Sequence, residues 1–235
     1  MNGTITLVGS GEYLSPMNEV DAYLLSRLSD APRVVCLPTA AGTEGPERIR
    51  YWSELGETHF RALGAEVKAV PVIDRQTANQ PELAEQVWQA NFVYLSGGKP
   101  GYLVQVLQDS LVWQAMVQVY RAGGVIAGCS AGAMIFGSRI PGFPLRSEAV
   151  PGFGYLENAV VIPHYDELPG TLAILMKGLF RHEIMVGIEG NTGLVCVDGG
   201  FEVMGKGGVT LSNSTGKKRY TQGEPVPAFT PTHPI

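Results

Sequence analysis

The first half of this 235-residue chain alternates short apolar runs with segments of helical periodicity. The runs are too short for helices and contain β-branched residues, so they predict strands. The predicted strands span 5–8, 33–38, 66–72 and 92–95, and a further strand starts at residue 125. The predicted helices span 18–28, 46–63, 81–90, 102–107 and 111–122. Strands separated by helices pair in parallel and are covered on both faces, so the pattern predicts an α/β fold with a mostly parallel sheet.

A serine flanked by glycines follows the last of these strands. Ser130 lies between Gly128 and Gly132, and the small apolar residues 131–136 after it predict a helix. This order is typical of a nucleophile elbow, whose turn is so tight that Cβ atoms beside the serine would collide. The layout predicts an exposed serine hydroxyl, with backbone amides beside it that can bind an oxyanion. An ordinary strand–helix turn is the alternative, since the chain contains 30 glycines.

Polar and glycine-rich loops follow the other predicted strands. Residues 9–11, 39–43 and 96–98 each come directly after a strand, as Ser130 does. Ligands of parallel sheets bind beyond the carboxyl ends of the strands, so these loops are expected to meet at one site.

The pattern changes after residue 136. Residues 138–153 are rich in Pro and Gly and predict a long loop near the site. A strand at 158–163 and a helix at 172–180 follow, and later short runs predict antiparallel hairpins. Those runs span 185–188, 193–197, 201–204 and 209–211, and the Pro-rich tail 224–234 is predicted to be irregular. Residues 1–235 are expected to form one domain, with hairpins and tail at 193–235.

Composition excludes several classes of protein. A net charge of −5 and a pI near 5.4 argue against nucleic acid or an anionic membrane as partner. Three cysteines cannot all pair, which predicts a cytoplasmic protein, and the N-terminus resembles a strand more than a signal peptide. Metal-ligand spacings and a complete dinucleotide-binding glycine motif are both missing, so the sequence predicts neither a metal nor a cofactor.

The best candidate for a catalytic base is His164, one of four histidines. It ends an apolar run, which is where a parallel sheet presents catalytic groups, whereas a hydrogen-bonded structural histidine is the alternative. The preferred acid to orient its ring is Glu189, which ends the next predicted strand. Asp166 is the second choice, because a carboxylate two residues away rarely folds back onto the ring.

The glycine pair Gly97–Gly98 offers a backbone without side-chain obstruction. The amide of Gly98 can complement that of Ala131 in an oxyanion hole, although an ordinary Gly-Gly turn fits equally well. Substrate contacts are expected from the neighbours of these groups. The candidates are Gly97, Lys99, Tyr165 and Asp166.

Taken together, these motifs resemble the dipeptidase E and cyanophycinase family. The resemblance rests on Ser-Gly-Gly at 96–98, Gly-x-Ser-Ala-Gly-Ala at 128–133, the strand-end His164 and the Gly-Ile-acid sequence at 187–189. It implies a class I glutamine amidotransferase-like (flavodoxin-like) fold and a homodimer. It also implies Ser130 as nucleophile, His164 as base, an acid near Glu189, and an oxyanion hole from Gly98 and Ala131.

Two positions depart from that family. Lys99 stands where members usually have Asn, Asp or Gln after the glycine pair. Members that prefer aspartyl substrates have arginines after the catalytic histidine, whereas residues 166–171 here begin with Asp and Glu. The sequence therefore predicts serine hydrolysis without predicting aspartyl specificity.

Serine peptidase activity on dipeptides or short peptides is the leading hypothesis. A cyanophycinase-like hydrolase and an esterase of the α/β-hydrolase type are alternatives, and the latter is disfavoured because His164 precedes the best acid. A glutaminase is disfavoured because the elbow carries serine where that chemistry uses cysteine. A protein that binds small molecules or peptides without turnover also remains compatible with the sequence.

Overall fold

The computed structural model of the chain describes residues 3–142, 148–197 and 199–227. The strands of its first half are β1 (Thr4–Val8), β2 (Arg33–Leu37), β3 (Glu66–Ala69), β4 (Phe92–Leu95) and β5 (Val125–Cys129). Later strands are β6 (Arg139–Ile140), β7 (Val150–Pro151), β8 (Ala159–Ile162), β9 (Ile184–Ile188), β10 (Thr192–Val197), β11 (Gly200–Gly205), β12 (Val209–Ser212) and β13 (Lys217–Tyr220). The α-helices are α1 (Asn18–Ser26), α2 (Pro46–Ala62), α3 (Pro81–Trp88), α4 (Pro100–Leu107), α5 (Leu111–Arg121), α6 (Ala131–Met134) and α7 (Gly170–Leu179).

The main sheet has seven strands in the order β11-β10-β1-β5-β4-β2-β3. The strands β1, β5, β4, β2 and β3 pair in parallel, and the hairpin β10–β11 adds two antiparallel strands beside β1. This confirms the predicted α/β fold. The carboxyl ends of the neighbouring strands β1, β5 and β4 therefore lie side by side at one edge of the sheet, together with the loops that follow them.

Helices cover both faces of the main sheet. On one face, α1 and α2 pack on alternate residues of the strands, among them Val8, Cys36 and Tyr94. On the other face, α3, α4 and α5 pack on the intervening residues, among them Leu7 and Val35. Successive residues of a strand point to opposite faces of the sheet. Because helices cover both faces, both sets of residues have to be apolar.

The second sheet was not expected from the sequence. It contains four strands in the order β13-β12-β9-β8, of which β8 and β9 are parallel and the others antiparallel. The predicted antiparallel pairing is therefore present for β10–β11 and for β9 with β12, whereas the parallel pairing of β9 with β8 was not predicted. Strand β13 (Lys217–Tyr220) escaped notice because three of its four residues are charged and exposed.

The loop predicted at 138–153 contains a short antiparallel ladder, β6–β7, where Ile140 pairs with Val150. Only part of the Pro-rich tail can be compared with its prediction, since residues 228–235 lie outside the described part. Within the described part, Val226 forms an isolated bridge with Phe201. None of the helices in the described ranges is long and apolar enough to span a membrane.

A buried polar pair joins the two helices on one face. Asp21 of α1 is completely buried, and its Oδ2 lies 2.8 Å from Nε2 of His59 in α2. Burial raises the pKa of the Asp21 carboxyl, and the hydrogen bond and charge of His59 oppose that change. Within the described ranges, this contact is the one side-chain hydrogen bond of each partner, so each depends on the other in an apolar layer.

We expect Asp21→Ala to reduce the free energy of unfolding by about 3 kcal/mol, because it leaves His59 buried without its partner. The matched control is Glu44→Ala, which removes the exposed pair with Arg48 and should change stability by less than about 0.5 kcal/mol. Urea unfolding followed by circular dichroism measures both. Equal effects of the two substitutions would contradict the assignment of Asp21–His59 as a structural pair.

Candidate active site

The backbone at Ser130 is held in an unusual conformation. Its φ is 51° and its ψ is −109°, between the end of β5 and the start of α6. A φ in this range is strained for a non-glycine residue and persists only where the surrounding structure enforces it. The amide of Ser130 donates to the carbonyl of Val8 at 3.0 Å, which ties the turn to β1. The side chain is therefore presented at the carboxyl edge of the sheet.

Two glycines permit this turn, as the sequence indicated. A Cβ added at Gly128 would lie 2.2 Å from the carbonyl oxygen of Gly132. A Cβ added at Gly132 would lie 2.6 Å from the carbonyl oxygen of Leu95 in β4. These contacts are with backbone atoms, which cannot move aside, so the turn requires glycine at both positions.

His164 reaches Ser130 from the second sheet. Its Nε2 lies 3.3 Å from Oγ of Ser130, a hydrogen-bond distance. Strand β8 is bonded to the segment that follows α6. The amide and hydroxyl of Ser138 both donate to the carbonyl of Ala159, at 2.8 and 3.0 Å. His164 also has a positive φ, 51°, so the two side chains that meet here both come from strained residues.

The carboxylate nearest the other ring nitrogen belongs to Glu167. Its Oε2 lies 3.5 Å from Nδ1 of His164, and both side chains are largely exposed. The amide of Glu167 donates to the carbonyl of His164 at 3.0 Å, so the chain turns back and carries the carboxylate to the ring. Sequence analysis did not select Glu167 as the orienting acid. The signal available was its spacing of three residues from His164, which suits such a turn.

The structure does not bring Glu189 to His164. Both carboxylate oxygens of Glu189 accept hydrogen bonds from Arg219, at 2.6 and 2.7 Å, and Oε2 also accepts from the amide of Gly208. The hydrogen bonds from Arg219 lower the pKa of Glu189. Glu189 therefore holds β13 and the 207–208 turn against β9, in place of the orienting contact expected from the sequence. Arg219 lies on the strand that the sequence did not reveal.

The amides of Gly98 and Ala131 border the serine. Within the described ranges, neither amide donates to another protein group. Gly98 has a φ of 143°, and a Cβ there would lie 2.5 Å from the backbone of Ala40, so only glycine fits. Both amides are thus available to an oxygen atom held near Ser130.

A buried glutamate that the sequence analysis missed lies beneath this loop. Oε1 of Glu12 accepts the amide of Gly97 at 3.0 Å, and Oε2 accepts the thiol of Cys129 at 2.9 Å. Burial raises the pKa of the Cys129 thiol, which therefore remains protonated and acts as a donor. Glu12 thus connects the loop after β4 to the strand that carries the serine. The feature of the sequence that could have indicated Glu12 is its position in the glycine-rich loop after β1.

A cavity of about 860 Å³ opens over these groups. Ser130, Ala131, His164, Gly98 and Lys99 all line it. The other predicted substrate-binding residues have different contacts. Gly97 donates to Glu12, Asp166 accepts the amide of Gly190 at 2.7 Å, and the ring of Tyr165 covers Gly187 and faces Lys217.

Comparisons with known proteins agree with one another. The sequence model of peptidase family S51 matches residues 5–204. A crystal structure of a peptidase from an acI-B1 Actinobacterium superposes with a TM-score of 0.88 at 36% identity, over 96% of this chain and 97% of that one. A putative peptidase E from Listeria monocytogenes shares the fold, with a TM-score of 0.62 at 17% identity over 88% of this chain and all of that one. Cyanophycinase from Synechococcus elongatus is 25% identical, over 89% of this chain and 67% of its own length.

We expect Gly128→Ala to unfold the elbow or to destabilise the whole protein by more than about 3 kcal/mol, because its Cβ meets backbone. The control is Gly178→Ala in α7, where nothing lies within 4 Å and alanine should be neutral or stabilising. Thermal unfolding of the two variants gives the comparison. A Gly128→Ala protein as stable as the wild type would contradict the described turn.

Proposed function

We propose that this chain, which belongs to peptidase family S51 and is therefore a serine peptidase, hydrolyses short peptides through Ser130. The observation that carries the proposal is the approach of His164 to a serine held on a strained turn, 3.3 Å between Nε2 and Oγ. A serine hydroxyl is a weak nucleophile until a base removes its proton, and an imidazole at this distance supplies that base.

In the proposed reaction, each of these groups has a role. His164 takes the proton of Ser130 as Oγ attacks the scissile carbonyl, and the carbonyl oxygen becomes an oxyanion. The amides of Gly98 and Ala131 stabilise that charge. The protonated imidazole gives its proton to the leaving amine, which departs and leaves an acyl-enzyme. Water, activated by His164, attacks the ester and releases the acid with Ser130 restored.

We assign the orientation of the imidazole to Glu167. Its carboxylate is the one beside Nδ1 of His164, and it stabilises both the required tautomer and the imidazolium formed in the reaction. An exposed carboxylate 3.5 Å away is a weaker orienting group than a buried one in direct contact. The contribution of Glu167 to kcat should therefore be modest.

The size of the cavity supports peptides as substrates. About 860 Å³ accommodates a ligand of a few residues, and the reacting groups lie in its wall. Dipeptides and slightly longer peptides fit this volume.

The first test labels the wild type and Ser130→Ala with a fluorophosphonate and measures intact mass. One adduct is expected on the wild type, none on Ser130→Ala and much less on His164→Ala, because only the serine paired with the base is activated. Ser53→Ala, which removes a helical serine, is the matched control and should label normally. A folded wild type that reacts neither with this probe nor with the smaller phenylmethylsulfonyl fluoride at several pH values would overturn the proposal, and would favour a binding protein without turnover.

The second test separates the two candidate acids by comparing Glu167→Gln with Glu189→Gln in peptide hydrolysis. Glu167→Gln should lower kcat about 10-fold with little change in KM, well short of the about 10⁴-fold loss for a buried triad acid. Glu189→Gln should leave kcat within about threefold and should lower stability by about 1 kcal/mol, because it weakens the pair with Arg219. The reverse outcome, a large loss of kcat only in Glu189→Gln, would restore the assignment made from the sequence.

The effect of Glu189→Gln on stability should also depend on pH. The pKa of Glu189 is lower in the folded protein than its ordinary value of 4.5. A carboxyl group of this kind stabilises the fold above its unfolded-state pKa, and the contribution disappears as the pH falls through the folded-state pKa. The stability difference between wild type and Glu189→Gln should therefore be constant near neutral pH and shrink below about pH 4.5.

A further inference from the structure

The walls of the cavity beside Ser130 are apolar. Four side chains that line it are almost completely buried and come from four different elements. They are Met134 of α6, Ile140 of β6, Ile162 of β8 and Met176 of α7. Further apolar residues of the lining include Pro141, Val150, Pro163, Leu168 and Pro169.

The charged residues of the cavity are mainly acidic. Glu148 and Glu167 are the carboxylates in the lining, and Lys99 is the single lysine or arginine among the described lining residues. The Nζ of Lys99 already donates to Oγ1 of Thr43 at 2.9 Å, on the exposed side of the loop. A substrate carboxylate entering among the described apolar walls would therefore lose water and come close to the carboxylates of Glu148 and Glu167.

We propose that this cavity is a specificity pocket for an apolar side chain next to the scissile bond, of the size of leucine, methionine or phenylalanine. The proposal rests on the hydrolysis of peptides at Ser130. Because Ser130, His164 and the Gly98 and Ala131 amides lie in the wall of the cavity, a peptide whose carbonyl is held there has to direct an adjacent side chain into it. Burying such a side chain against these walls increases affinity, whereas an aspartyl or glutamyl side chain loses its hydration there and is repelled by the two glutamates.

The experiment uses alanine-based dipeptides and tetrapeptides in which one residue is leucine, asparagine or aspartate. These three side chains have nearly the same size and differ in polarity and charge, so they separate the shape of the pocket from its chemistry. At one position of the series, kcat/KM should fall from leucine to asparagine to aspartate, with about 100-fold between the first and the last.

A charge added at the rim of the pocket should change this order. Val150 lines the cavity and is 41% exposed, so Val150→Arg brings a cation to it without disturbing the core. The variant should lose at least about tenfold of the preference for leucine over aspartate. Trp88→Arg is the matched control, because Trp88 is similarly exposed, at 53%, and does not line the cavity. It should behave as the wild type.

Binding of the same peptides to Ser130→Ala, measured by calorimetry, keeps this test independent of catalysis. Tighter binding of the leucine peptide than of the aspartate peptide supports the pocket. If the wild type shows neither an adduct nor turnover, that separate result overturns only the hydrolytic function. Equal or tighter binding of the aspartate peptide overturns the pocket. An aspartate preference in turnover by a wild type that labels at Ser130 also overturns the pocket and leaves the hydrolytic function intact.

Discussion

The close approach of two backbone segments at the elbow is the constraint on which the site depends. Gly128 lies against the carbonyl of Gly132, and Gly132 lies against the carbonyl of Leu95, so α6 starts directly over the ends of β4 and β5. With no Cβ in the way, the chain reverses within one residue and Ser130 takes a positive φ. The energy of this strained conformation is offset by the pairing of β5 with β1 and β4 on either side. Ser130 is therefore positioned by the sheet, through the pairing of β5 with its two neighbours.

The rest of the site is assembled from separate parts of the fold. Glu12, in the loop after β1, accepts the amide of Gly97 in the loop after β4. This contact fixes the orientation of the pair Gly97–Gly98, and the amide of Gly98 borders Ser130. His164 arrives from the second sheet, whose strand β8 is joined to the chain after α6 through Ser138. The proposed hydrolytic site thus lies where the two sheets meet, and residues of α6, α7, β6 and β8 line the apolar cavity beside it.

Sequence reasoning succeeded where local chemistry decides the structure. Ser130 and its two glycines could be identified because a turn this tight excludes other residues. His164, the predicted base, ends an apolar strand, and its ring does approach Ser130. Glu189, the predicted acid, also ends a strand, but its carboxylate contacts Arg219 and not His164. Nothing near it in the sequence revealed that Arg219, thirty residues away, binds its carboxylate. Glu167, to which we assign the orienting contact, was not selected because its approach to His164 depends on a turn whose geometry is visible only in three dimensions.

The sequence by itself determined the order of strands and helices in the first half of the chain, the parallel core of the main sheet, and the place of the serine at its carboxyl edge. Apolar periodicity and the steric needs of glycine are local properties, and they act on residues that are close in the chain. Tertiary structure alone decided that β8 and β9 leave the main sheet for a second one. It also decided which carboxylate faces the imidazole, and that four buried side chains from four elements line one cavity. These outcomes depend on contacts between segments far apart in sequence, and neither periodicity nor spacing encodes which distant partner a charged or apolar side chain will meet.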